Sequence, residues 1–229
     1  MAIEFKQHFV AFLDVLGFKE MVGHDLSNDK TEYLRKLYKC HQSAARIFHD
    51  DPDCEITQFS DSIVISKPYD ATEFAGFVAH VADYQRLLLD EELLCRGGIA
   101  VNKHYSAGSF IFSAGLIDAY GVESLMARYP RVVISPDVME LIYPEKTVKP
   151  AFLVEEDDGL WFIDYLGLTA RKRPATLRSA VGNIVSILGK SKNSSVREKA
   201  HWLASYADAS LGTNLKKPKF IGAKIRNSS

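Results

Sequence analysis

The chain has 229 residues, 47% of them hydrophobic and 25% charged, with a formal net charge of −1. That length builds one sizeable core, or a core with an appended helical region, and the near-neutral charge argues against a dedicated nucleic-acid binder. No stretch approaches the roughly 20 apolar residues of a membrane span, the start MAIEFKQHFVAFLD is too short an apolar run for a signal peptide, and Cys40, Cys54 and Cys95 form no CxxC pair, so the reading is a cytoplasmic protein with reduced thiols and no membrane or nucleic-acid partner.

Residues 8–15, HFVAFLDV, are aromatic and β-branched and predict a buried strand. GFKEMV opens a short helix, and a second helix runs from about Asp29 to near His49, with Leu34, Leu37, Tyr38, His41, Ala44, Ala45 and Phe48 at one-face spacing. CEITQFSDSIVIS predicts two short strands joined at Ser60-Asp61-Ser62. Residues 71–90 return to a helical period. LLCRGGIAV is a strand whose Gly97-Gly98 marks a bulge or a close backbone approach, SAGSFIFS pairs with it, and His104-Tyr105 falls at the tip between them. AGLIDAYGVESLMARY is a helix, RVVIS a strand, PDVMELI a helix opened by proline, and FLVEEDDGLWFIDYL a hairpin about Asp157-Asp158-Gly159. TLRSAVGNIVSILGK and SVREKAHWLASYADASL are helical patterns, and LKKPKFIGAKIRNSS is a basic tail. The β-α-β-β-α-β order is the ferredoxin-like arrangement, an α+β class.

Asp14 ends the first strand and Asp61 sits at the tip of the hairpin. In such a unit the first strand lies beside that hairpin, which brings the two acids together. Bare carboxylates at close range repel. A divalent cation removes the conflict, and Mg²⁺ takes one or two carboxylates with phosphates and water completing its shell. Gly17 then lets the chain turn from strand to helix, so the amides of Leu16, Gly17, Phe18 and Lys19 sit at a helix N-terminus that favours anions. Acid for metal beside amides for phosphate makes a nucleoside triphosphate site. The plain alternative is that Asp14 is a turn residue.

AFLDVLGF, TQFSDSIVIS, CRGGIAV and AGLIDAYGVES together resemble the class III nucleotide cyclase catalytic domain, over about residues 7–166. FLDVLGF, FSDSIVIS, RGGIAV and AYGVES resemble most the pyrimidine cyclases of bacterial Pycsar anti-phage systems. The resemblance implies a ferredoxin-like βαββαβ cyclase core over residues 7–170, a helical extension over 171–212 and a basic tail over 213–229. It implies conversion of a pyrimidine nucleoside triphosphate, UTP before CTP, to a 3′,5′-cyclic monophosphate and pyrophosphate, with the product activating a partner effector. Two Mg²⁺ or Mn²⁺ ions would be held by Asp14, Asp61 and the Val15 carbonyl. One catalytic domain per chain implies a two-fold homodimer. A purine cyclase, or a nucleotide-binding dimerisation module without catalysis, are the alternatives.

Several positions depart from the family pattern. Thr57, four residues before Asp61, is neutral where purine cyclases carry lysine or glutamate, and Phe110 or Ile111 stands where they use aspartate or cysteine. Thr57 is thus either a base-contacting residue for a smaller base or a routine strand threonine. The helix expected to carry asparagine and arginine four apart has Asp118 with Val122 or Gly121. Arg96 is the first candidate for the missing cation and Lys19 the second, with a strand-end ion pair the other role open to Arg96. EEDDG is acidic where a phosphate-binding lysine is expected. Arg171, Lys172 and Arg173 either compensate or form a solvated surface. The late helices, through Val181, Ile184, Val185, Leu188, Val196, Ala200, Leu203 and Ala207, either extend the dimer interface or cap the sheet.

Overall fold

The computed structural model describes residues 4–48, 51–108, 110–144, 150–170 and 174–218. Arg171, Lys172, Arg173, His49, the side chain of Ala45 and the last part of the basic tail lie outside the described residues.

β1 (Lys6–Val15) alternates strictly. Phe9, Ala11, Leu13 and Val15 enter the main core, and Val10 and Phe12 join a second, smaller cluster. With a period of two, Asp14 therefore belongs to the face of the second cluster. The strand leads into α1 (Phe18–Ser27) and α2 (Glu32–Ile47), then β2 (Glu55–Phe59), β3 (Ser62–Pro68), α3 (Phe74–Asp90) and β4 (Cys95–Ala107). These strands pair antiparallel in the order β2-β3-β1-β4, the predicted βαββαβ arrangement. β5 (Phe110–Ser113) folds back on the end of β4. α4 (Ala114–Met126) leads to β6 (Val132–Ile134), parallel to β4, then α5 (Pro136–Ile142), β7 (Leu153–Glu155) and β8 (Trp161–Ile163), which complete an eight-stranded sheet.

The two faces of the sheet are covered unequally. On one, α2 and α3 pack together with α6 (Tyr165–Ala170), α7 (Pro174–Leu188) and α8 (Ser194–Leu211) around the main core. Val181, Ile184, Ala200, Leu203 and Ala207 are buried within this chain, so the late helices cap the sheet. Tyr206 ties them down. Its hydroxyl donates to Asp164 Oδ1 at 2.6 Å and accepts from the Leu166 amide at 3.1 Å. On the other face α4 alone packs among the described helices, over the small cluster of Val10, Phe12, Val64, Ala100 and Ala119.

Two sequence expectations change. The buried stripe of α2 runs through Leu37, Cys40, Ala44 and Phe48, whereas Leu34 and Tyr38 are 62% and 58% exposed. Two apolar stripes lie side by side on that helix, and contact with α3 selects one of them. His104 is not at a hairpin tip. It pairs with Lys6 inside β4, is buried, and contacts the Ser113 hydroxyl that caps α4 at 2.7 Å. Burial, then the neighbouring His8, push its pKa down to about 4, so the ring is neutral at neutral pH.

Of the two readings of Gly97-Gly98, the close backbone approach holds and the bulge does not, because the β1–β4 register runs through it unbroken. Gly98 is where α4 touches the sheet. A Cβ there would stand 2.4 Å from the Ala119 carbonyl oxygen, 2.7 Å from Val122 Cβ and 2.8 Å from the Glu123 amide nitrogen. These are backbone atoms or tied closely to them, so the helix has to move. Gly98→Ala is expected to lower stability by about 1–3 kcal/mol, read as a shift in the urea midpoint. An unchanged midpoint would show that α4 does not seat on Gly98.

Candidate functional site

The open face exists because α4 covers only part of the sheet. Asp14 of β1 pairs across the sheet with Ser62 of β3 on one side and Arg96 of β4 on the other. Directly opposed residues in antiparallel strands project to the same face. Thr57 opposes Val64, which opposes Phe12, so Thr57 of β2 shares the face of Asp14.

Asp61 lies in the two-residue turn between β2 and β3, after Ser60 at φ +55°. Its carbonyl accepts the Val15 amide at 3.0 Å, which fixes the hairpin tip against the end of β1. The two carboxyls are near enough to feel each other. Burial raises the pKa of Asp14, Arg96 lowers it, and the charge of Asp61 raises it again, with a net shift upward. Asp61 is thus held at the end of β1, close enough for its charge to act on Asp14. Their donor set, hard oxygen with excess negative charge, suits Mg²⁺ or Mn²⁺. Among the described residues no group of three or more His, Cys, Asp or Glu is arranged for a metal. The acids would therefore hold an ion only together with the Val15 carbonyl, water or phosphate oxygens.

The turn after β1 is as expected, with one exception. Gly17 sits at φ +83° and precedes α1, a left-handed conformation that glycine adopts without cost. Met21 is the first amide to bond back into the helix, to the Gly17 carbonyl at 3.0 Å. The amides of Gly17, Phe18, Lys19 and Glu20 are the orphan donors of a helix start. The Leu16 amide is not among them. It donates to the Leu94 carbonyl at 2.8 Å because the β1–β4 ladder continues one residue past Val15, and it is unavailable to a phosphate. The Lys19 side chain is exposed and has no ion pair among the described residues.

Arg96 is held by two acids. Its Nε–H donates to Asp14 Oδ2 at 3.2 Å, and the same nitrogen lies 2.6 Å from Glu123 Oε1. The double glycine beside it opens no path for phosphate, since α4 occupies the space over Gly98. Glu123 was not among the sequence candidates. It is 2% exposed on the inner face of α4, one turn after Ala119, and burial raises its pKa against the pull of Arg96. The signal was available: a glutamate at i+4 from an inward alanine is almost never buried unpaired. Asp118 accepts from Asn102 Nδ2 at 2.7 Å at the surface of α4. Phe110 is 58% exposed, whereas Ile111 packs on the small cluster.

The acidic hairpin EEDDG has a different task from phosphate binding. Arg131 is 1% exposed, and Glu156 and Asp158 neutralise it. Trp202 Nε1 also donates to Glu156, at 2.6 Å.

No protein-family model and no curated protein matches the sequence. Among solved structures the chain is similar to the guanylyl cyclase Cya2, with a TM-score of 0.50 and 16% identity over 72% of this chain and 94% of that one. It is similar to the monomeric guanylyl cyclase domain of the RhoGC fusion protein from the aquatic fungus Blastocladiella emersonii, with a TM-score of 0.52 and 12% identity over 71% and 98%. The chain has the fold of a class III nucleotide cyclase catalytic domain. At these identities the likeness is one of fold. A helical C-terminal region is present, formed by α7 and α8. No helix among the described residues is long and apolar enough to cross a membrane.

Proposed function

We propose that this protein is a metal-dependent nucleotide cyclase that converts a pyrimidine nucleoside triphosphate, UTP before CTP, to the 3′,5′-cyclic monophosphate and pyrophosphate. The observation that carries the reading is the placing of Asp61 against the end of β1, within reach of the charge of Asp14 and beside the start of α1, on the sheet face that α4 covers in part. Asp14, Asp61 and the Val15 carbonyl would hold two Mg²⁺ or Mn²⁺ ions. Ions bound there would offset the charge of the triphosphate and lower the pKa of the ribose 3′-hydroxyl, so that its oxygen, with its proton passing to water, would attack the α-phosphorus as pyrophosphate leaves. The amides of Gly17, Phe18 and Lys19, with the Lys19 ammonium, grip phosphate oxygens at the positive end of α1. Arg96 supplies the charge that the absent asparagine–arginine pair would otherwise give.

The choice of a small base rests on Thr57, which faces the site and carries no charge to pair with a purine edge. The resemblance of FLDVLGF, FSDSIVIS, RGGIAV and AYGVES to Pycsar cyclases supports a role for the product as a signal to an anti-phage effector. Apolar side chains around the open face support a homodimer: Phe59, Phe112, Ile117 and Tyr120 are 50–71% exposed, and such a patch marks an interaction surface. A purine cyclase is the second reading, favoured by the solved structures of similar fold, which are adenylyl and guanylyl cyclases.

Purified protein offered ATP, GTP, CTP and UTP separately with Mn²⁺ decides between them. The expected result is cyclic UMP, or cyclic CMP at a lower rate, with stoichiometric pyrophosphate. Faster turnover of ATP or GTP selects the purine reading. Nucleotide binding without pyrophosphate release from any of the four leaves a binding module.

A further inference from the structure

Arg96 makes all its hydrogen bonds to described residues through one edge. Nε–H points at Asp14 Oδ2, and Nη1 and Nη2 have no hydrogen-bond partner among the described residues. Glu123 Oε1 is 2.6 Å from the same Nε, yet no N–H or O–H is aimed at it, and the oxygen is buried. The other carboxylate oxygen, Oε2, takes the Ser124 hydroxyl at 3.0 Å. A buried acceptor without a donor is costly, and the nearest donor is the N–H now turned to Asp14. A cation drawn to Asp14 and Asp61 would repel the guanidinium from Asp14. Glu123 is then the only one of the two acids left to hold it.

We propose that Glu123 is a positioning residue for Arg96. Its carboxylate keeps the Nε edge anchored on α4 when Asp14 is engaged, so that the two terminal nitrogens face a polyphosphate bound on the open face. Arginine suits this arrangement because its planar fork offers one edge to an anchoring acid and another to phosphate oxygens. The assignment deepens the cyclase reading and takes the place of the phosphate from it, but its test does not depend on turnover.

The test is tripolyphosphate binding in the presence of Mn²⁺, measured by calorimetry on the full chain. Glu123→Gln keeps the shape of the side chain and removes its charge. If Glu123 acted only through its own field, neutralising a negative group near the site would tighten the binding of an anion. Positioning predicts the opposite sign: affinity falls about tenfold, the loss expected for one weakened charge-assisted contact. Arg96→Gln should fall as far or further, and Glu123→Gln placed on top of it should add nothing. Arg96→Lys, which keeps the charge but has no Nε edge, should match the loss in Glu123→Gln. Tighter or unchanged binding in Glu123→Gln overturns the proposal. So does a further loss when Glu123→Gln is added to Arg96→Gln, because that marks a general packing role, and so does a wild-type chain that binds no tripolyphosphate. A wild type that binds and shows this pattern, but forms no cyclic product from any nucleotide, keeps the positioning role and removes the cyclase.

Discussion

Asp14→Asn is expected to lower cyclic-nucleotide formation by about 10³-fold or more, and Asp61→Asn to do the same, because each removes a carboxylate from a two-acid cation site. Measured with Mn²⁺ and the best nucleotide of the panel, the loss should persist at saturating nucleotide. Stability should not follow activity. Burial and the charge of Asp61 outweigh the help of Arg96 and leave the pKa of Asp14 raised, so the fold works against this negative charge. Asn at that place removes the penalty, and the variant should unfold at or above the wild-type midpoint. The pH dependence has a fixed sign. With the folded pKa above the unfolded one, the native state binds the proton more tightly. Between those two values the contribution of Asp14 to stability falls as pH rises. Cation binding runs the other way, because the protonated acid holds no ion. Mn²⁺ affinity should therefore fall as pH drops through a value above the ordinary aspartate range. Full turnover in Asp14→Asn would remove the site.

The largest stability loss is expected from the acids around Arg131. That guanidinium is 1% exposed, and its charge is met by Glu156 and Asp158. Met126 contributes its carbonyl at 3.1 Å, and the rings of Tyr129 and Phe162 lie 5.7 and 5.9 Å away. Burial pushes the Asp158 carboxyl up, but Arg131 and the Leu160 amide pull it down further, and its pKa ends below the ordinary value. The stability it contributes is therefore present above the unfolded pKa and lost as pH falls through the folded one. Glu156→Gln with Asp158→Asn leaves the arginine buried without a counter-charge. The expected cost is about 3–5 kcal/mol, or a fall in Tm of roughly 6–20 °C for a domain of this size. Arg131→Met should cost less, because the two acids are 20% and 39% exposed and can return to water, while the methionine fills the space. A larger loss from Arg131→Met than from the double acid variant would show that the arginine's packing, and not its charge, holds the hairpin.

The sequence by itself determined the local elements and the places of Asp14, Asp61 and Gly17 in them. Alternation in HFVAFLDV placed Asp14 at a strand end. The spacing of CEITQFSDSIVIS placed Asp61 in a turn, and Gly17 allowed the abrupt start of α1. These are short-range facts, set by side-chain period and backbone sterics, and they were legible one segment at a time. Tertiary structure decided what each charged group faces. Arg96 was legible as a candidate cation, but its choice of partner depends on α4 descending onto Gly98 and carrying Glu123 with it. EEDDG read as a defect in a phosphate site until Arg131, some 25 residues earlier, filled it from below. The sequence of the turn leaves the Leu16 amide free, because its acceptor, the Leu94 carbonyl, lies 78 residues away, just before β4. On α2, two apolar stripes competed and only contact with α3 chose between them. The common reason is that a charge or a donor is satisfied by whatever approaches it in space, and the period of one segment carries no information about its neighbour.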